Sequence, residues 1–184
     1  MSDDARMRET LGAIGELLRY PCGGAAEAAR RALELGRGTP AEAALARFAE
    51  RAGAAGATAL EELYTSTFDL DPACVPYVGH QLVGESPVRG PFLAELKGVY
   101  ARCGYRPRQE LGDHVAEVLG YLAVAPAGPD RDDLVHDGLL PALEKMVEAL
   151  RDRENPYLGL LVAVQSTLTP PSRAAAPRAR AEVR

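Results

Sequence analysis

Tryptophan is absent from this 184-residue chain and phenylalanine occurs three times, while much of its 47% hydrophobic content is Ala and Leu. A shortage of strand-favouring aromatics beside an abundance of strong helix formers favours helices over strands. Cysteine is scarce too. Cys22, Cys74 and Cys103 are odd in number, widely spaced and without a Cys-x-x-Cys pair, which argues against a disulfide framework or a zinc knuckle and reads as three buried thiols. No apolar run approaches the roughly eighteen residues of a membrane-spanning helix. The start, Met1-Ser-Asp-Asp-Ala-Arg, lacks the basic-then-apolar order of a secretory signal, so a cytoplasmic location is expected. Sustained two-residue alternation and fixed-period repeats are also missing.

Positive charge is in deficit, with a formal net charge of -5. Residues 170 to 184 hold four Arg against one Glu, so residues 1 to 169 carry -8. An acidic body repels phosphate backbones and attracts cationic peptides. No nucleic-acid partner is therefore expected, and a partner bearing Arg or Lys is. The Ala/Pro/Arg composition of residues 170 to 184 predicts a disordered tail after a helical domain over 1 to 169.

What is present is helical spacing. Met7, Leu11, Ile14, Leu17 and Leu18 mark a helix from Met7 to Arg19, stopped by Tyr20-Pro-Cys-Gly-Gly24. A second is predicted from Ala25 to Leu35. A third, with Thr39 as N-cap and Pro40 at its first position, runs to about Ala52. Leu60, Leu63, Tyr64 and Phe68 share a face of the next, which ends near Asp69; Asp71-Pro72 opens a segment through Leu82. Beyond Pro91 a broad stripe from Phe92 to Cys103 predicts a helix closed by Gly104. Asp113 is the expected N-cap of a helix carrying Val115, Val118, Leu119 and Leu122. Asp130 to Asp152 keeps helical period across Pro141, where a kink or split is expected, and Asp130-Arg-Asp-Asp133 reads as a solvated helix start. Asn155-Pro156 caps a last helix in which Leu158, Leu161, Val162 and Leu168 can close the core. The fold class is all-α, about eight or nine helices packed as one globule.

Two short signatures stand out from this background. Tyr64-Thr-Ser-Thr-Phe68-Asp69 places two aromatics at i and i+4, a spacing that serves either core packing or a ligand platform, and ends on a carboxylate. Glu110-Leu-Gly-Asp113-His114 places two carboxylates and an imidazole at a helix entrance. Acid/base chemistry is one use of such a set, yet no nucleophile or glycine-rich phosphate cradle accompanies it, and an N-cap with a solvated neighbour needs no chemistry at all. His80, His114, His136 and the cysteines show none of the paired spacings of metal sites.

In this order, on an all-α chain of this length, the signatures resemble those of the nitrate reductase molybdenum cofactor assembly chaperones, the NarJ family within the broader TorD/DmsD-type redox enzyme maturation chaperones. The likeness extends over roughly residues 11 to 168. It includes Asp69-Leu70, Gly84-Glu85 followed by Arg89-Gly90, Val115-Ala-Glu-Val-Leu119, and Asn155-Pro156-Tyr157. Gly112 departs from it, standing where the family usually has proline. The resemblance implies a non-catalytic chaperone that binds the N-terminal peptide of an apo molybdoenzyme catalytic subunit, nitrate reductase or a relative, and assists molybdenum cofactor insertion. No cofactor would be held stably, since the molybdenum cofactor is handled only through the client. The implied peptide-binding residues are Tyr64, Phe68, Asp69, Arg89, Glu110, Asp113 and His114, as walls and rims of an apolar groove. An alternative is a helical adaptor that keeps this fold for another protein partner. The Arg-rich tail resembles the expected cationic client in charge and could occupy the same groove.

Overall fold

The periodic apolar spacing becomes helix after helix in a computed structural model, which describes residues 3–169. In chain order these are α1 (Asp3–Leu17), α2 (Ala25–Gly36), α3 (Glu42–Ala54), α4 (Ala57–Tyr64), α5 (Val78–Val83), α6 (Arg89–Arg102), α7 (Val115–Val124), α8 (Pro129–Asp133), α9 (Leu140–Leu150) and α10 (Pro156–Leu168). A π turn over Thr65–Asp69 extends α4, and another over Leu134–Leu139 joins α8 to α9 into one rod. Among the described residues there are thus nine continuous helical rods and no strand; a single antiparallel bridge pairs Tyr77 with His114. The all-α expectation holds. The tail of residues 170 to 184 lies outside the described residues.

Helix α7 is the axis of the core. Val115, Ala116, Val118, Leu119 and Leu122 are all fully buried, and α1 lies along it through Leu11 and Ile14. The close approach depends on missing side chains: a Cβ on Gly12 would stand 2.9 Å from the Ala123 Cβ, and one on Gly15 3.1 Å from that of Leu119. Helices α2 and α3 form a hairpin beside α1, and α10 closes the other side against α3 and α9. Its buried face is Tyr157, Leu160, Leu161 and Val164, whereas Val162, expected inside, is 40% exposed.

Both π turns have local causes. The Leu70 amide donates to the Thr65 carbonyl at 3.1 Å, five residues back, while the Thr67 hydroxyl donates to Leu63 and accepts from the Asn155 side chain. Pro141 has no N–H to return to the carbonyl four residues before it, and the ladder widens in the segment that precedes it. That widening is the form the expected kink takes.

Several local expectations are corrected. No helix begins at Asp71-Pro72; Asp71 turns the chain with φ 49°, and helix resumes only at Val78. Thr39 is not the N-cap of α3: its hydroxyl accepts from the Ala41 amide at 3.2 Å in the preceding turn, and α3 starts at Glu42 with Ala41 as N-cap. Within α6 only Leu96 and Tyr100 are buried, so its stripe is narrower than the spacing suggested. Of the thiols, Cys74 is buried, Cys103 half-buried and Cys22 exposed. At the acidic start of α8, Asp132 and Asp133 are exposed as expected, whereas Asp130 pairs with Arg102 at 2.6 and 2.8 Å and Arg131 is buried on Asp4.

Candidate functional site

The first signature straddles the junction of α4 and its π turn, where both aromatic rings turn inward. Tyr64 is 5% and Phe68 4% exposed. Their centroids lie 5.2 Å apart, and Tyr157 meets both, at 6.0 and 5.0 Å. Phe48 packs on Tyr157 and Tyr20 on Tyr64, so the pair belongs to an aromatic cluster joining α3, α4 and α10. Asp69, next in the chain, is exposed.

The second signature is brought to the first by the single bridge. The Val78 amide donates to the Asp113 carbonyl at 2.7 Å and the Val115 amide to the Pro76 carbonyl at 2.8 Å, laying 76–78 against 113–115. His114, not Asp113, is the N-cap of α7: its Nδ1 accepts from the Ala116 amide at 3.1 Å. Because Nδ1 accepts, the proton resides on Nε2, which faces the Tyr64 hydroxyl at 3.4 Å. Burial, with the Arg19 charge nearby, lowers the imidazole to about 4 and keeps it neutral at pH 7. Burial and then Glu110 raise the Tyr64 phenol well above its ordinary range.

Asp113 was expected to cap α7, but its carboxylate is engaged elsewhere. Fully buried, it receives Arg89 Nε on Oδ2 at 3.0 Å and Nη2 on Oδ1 at 3.2 Å. Arg89 opens α6, ahead of the helix start expected beyond Pro91, with its guanidinium 5.1 Å from the centroid of the Tyr77 ring. Tyr77 donates to Glu110 at 3.0 Å and sets its ring edge-on to His114, 5.3 Å away. The floor beneath Asp113 is the backbone of Gly79. A Cβ there would lie 2.7 Å from Asp113 Oδ2 and 2.9 Å from the Phe92 ring. Gly79→Ala should cost about 1–3 kcal/mol in urea denaturation, by forcing both neighbours to shift. Gly112 sits in a turn pinned by the Tyr100 hydroxyl, which donates to its carbonyl at 2.8 Å. That hydrogen bond supplies a constraint where proline is missing.

The site's outer face is acidic. A hollow of about 390 Å³ is lined by Tyr20, Thr58, Glu61, Glu62, Thr65, Ser66 and Leu70, with Asp69 at its edge. Leu70 is 72% and Tyr20 41% exposed. A second hollow of about 260 Å³ shares Tyr20 and runs inward past Phe48, Leu60 and Tyr157. Among the described residues, none of Glu61, Glu62, Asp69 and Glu110 is ion-paired. The surface therefore combines exposed apolar side chains with unneutralised carboxylates.

Of the residues singled out from the sequence, Tyr64 meets His114 and Arg89 meets Asp113, while Phe68 stays in the aromatic cluster and Asp69 and Glu110 stay towards solvent. Sequence reasoning missed Tyr77, which ties Glu110, Arg89 and His114 together. It also missed a fully buried Glu117 paired with Arg19 and accepting from the Tyr105 hydroxyl at 2.7 Å. A signal existed for the latter: Glu117 is the one charged residue in the otherwise apolar run of α7. As chemistry the array is a set of satisfied side chains: both His114 nitrogens have neighbours within hydrogen-bond reach, and Asp113 is held by a guanidinium. Among the described residues no group of three His, Cys, Asp or Glu is placed to hold a metal ion, and no helix is long and apolar enough to cross a membrane.

Compared with known proteins, residues 36–163 match the family described as nitrate reductase delta subunit, a span that includes both signatures, the bridge and Asn155. No curated protein matches the chain.

Proposed function

Because the chain belongs to the nitrate reductase delta subunit family, whose members are nitrate reductase assembly chaperones, we propose that it is a cytoplasmic, system-specific chaperone. It holds the N-terminal segment of an apo molybdoenzyme catalytic subunit, nitrate reductase or a relative, while the molybdenum cofactor is inserted and the complex assembles. The cofactor stays with the client. The chaperone contributes binding, not catalysis.

The observation that supports this reading is the unneutralised acidic rim around an exposed apolar hollow. Glu61, Glu62 and the adjoining Asp69 attract a cationic segment at this hollow, Glu110 adds a carboxylate without a cation beside Tyr77, and Tyr20 and Leu70 offer apolar contact. The implied binding residues divide by burial into two roles. Asp69 and Glu110 meet the peptide directly, whereas Tyr64, Phe68 and His114 form the wall behind and act by holding its shape; Asp113 lies buried under Arg89 and is closed to the peptide while that pair stands.

Titration with a fluorescent peptide copied from the N terminus of the catalytic subunit encoded nearby tests the proposal. Binding should weaken as salt is raised, and Glu61→Lys/Asp69→Lys should weaken it roughly tenfold at low salt. No binding at low salt by a folded chaperone would sink the reading.

A further inference from the structure

The carboxylate of Asp113 already holds a guanidinium in the free protein. Arg89 reaches both of its oxygens, at 3.0 and 3.2 Å, and places its Cζ over the Tyr77 ring, 5.1 Å from the centroid. A bidentate carboxylate beside an aromatic face selects arginine, whose planar fork fits both at once, over the point charge of lysine.

The socket and its plug are held very differently. The socket has ties other than Arg89: the bridge to Val78 fixes the Asp113 backbone, the absent side chain of Gly79 leaves room for its carboxylate, and Glu110 and His114 hold Tyr77. Arg89 itself begins α6, where Val88 makes no side-chain cap and the first turn carries no acidic residue. A cation in that place is opposed by the helix dipole. The residues leading into it include exposed Glu85, Pro87 and Val88, and Gly84 bends them at φ 65°. Glu110, bonded to Tyr77 and close enough to act on Tyr64, joins the socket to the acidic rim.

We propose that Asp113 and Tyr77 form a guanidinium-binding subsite for an arginine of the client segment, occupied in the free chaperone by Arg89 as a stand-in that the client displaces. The source of the incoming arginine rests on the peptide-binding reading above; the chemistry of the socket does not. Exchange of one guanidinium for another leaves the buried carboxylate paired throughout, so the swap avoids the penalty of a buried unpaired charge. The affinity of wild-type protein for its client is lowered by the fraction of molecules in which Arg89 is seated.

Two measurements test this. Thermal melts of Arg89→Ala, with Arg89→Gln as a second variant should the first fail to fold, are recorded with methylguanidinium and with methylammonium at equal chloride. Methylguanidinium should raise Tm saturably, by about 2–4 °C, and methylammonium should not. Wild type and Arg89→Ala/Asp113→Asn should show no such rise. Equal effects of the two cations, or no effect of either, overturn the subsite. Titration with the client N-terminal peptide should then show Arg89→Ala binding roughly fivefold tighter than wild type. A peptide carrying citrulline for arginine should gain nothing. If wild type binds the peptide and Arg89→Ala binds no tighter, displacement is overturned while the peptide reading stands. If no variant binds while methylguanidinium still rescues, the peptide reading falls and takes displacement with it, leaving the socket's preference for guanidinium supported.

Discussion

Arg19→Met should destabilise the protein by about 3–5 kcal/mol at pH 7, the cost of leaving one member of a buried ion pair alone. Arg19 is 8% exposed and Glu117 is fully buried, and the guanidinium and carboxylate are in direct contact between the end of α1 and the first turn of α7. The other groups bonded to Glu117, the Tyr105 hydroxyl and the Arg108 backbone, carry no charge to replace that of Arg19. Burial alone would push Glu117 up; the hydrogen bonds from Arg19 and Tyr105, with the Arg19 charge, prevail and hold it at about 2 against an ordinary 4.5. In the native protein this pair's contribution is therefore present above pH 4.5 and lost as pH falls towards 2. In Arg19→Met the guanidinium's hydrogen bond and charge are lost while the Tyr105 bond and a backbone hydrogen bond from Arg108 remain, so the folded value rises from about 2 and the variant's deficit relative to wild type should be smaller at pH 4 than at pH 7. Urea denaturation at both pH values checks this. A wild-type-like midpoint for Arg19→Met at pH 7 would show the pair to be dispensable, whereas Arg19→Met/Glu117→Leu should recover most of the loss because no charge is left behind.

Acidification should destabilise the protein through His114. The imidazole is fully surrounded, and its folded value of about 4 lies below the 6.5 of an exposed histidine. Between those two values the unfolded chain binds a proton that the native state does not, so stability is complete above pH 6.5 and falls by about 1.4 kcal/mol per pH unit down to about pH 4. The accumulated loss is on the order of 3 kcal/mol. His114→Asn keeps a side-chain oxygen able to cap α7 and removes the titration, so its stability should be nearly flat in that window. Equal slopes for wild type and His114→Asn would place the proton uptake elsewhere. The window also separates His114 from Glu117, whose own loss begins only below pH 4.5.

The adjacent acceptors Asp113 and His114 show why part of the site was hidden. Either can cap a helix, and local sequence does not choose between them. The choice is made by Arg89, 24 residues earlier in the chain, which takes the carboxylate and leaves the imidazole to accept from Ala116. Tyr64 and Phe68 pose the same problem. Their spacing puts them on one side of a helix, but Tyr157 and Phe48 arriving from α10 and α3 decide that this side is core. Cys22 was expected to be buried because thiols usually are, yet it lies in the exposed turn after α1.

The sequence by itself determined the helical rods and most of their ends, because 3.6-residue periodicity, Asn155-Pro156 and Gly104 act within a few residues of themselves. It determined as well the acidic character of the surface and the two signatures that point to the family. The tertiary structure alone decided which carboxylates are paired and which are free. Asp113 and Glu117 are neutralised by Arg89 and Arg19, distant in sequence and near in space, while Glu61, Glu62, Asp69 and Glu110 find no cation among the described residues. Charge pairing acts through space, so a carboxylate's availability to a partner follows from packing, and packing depends here on glycines 12, 15 and 79, which admit their neighbours by carrying no side chain.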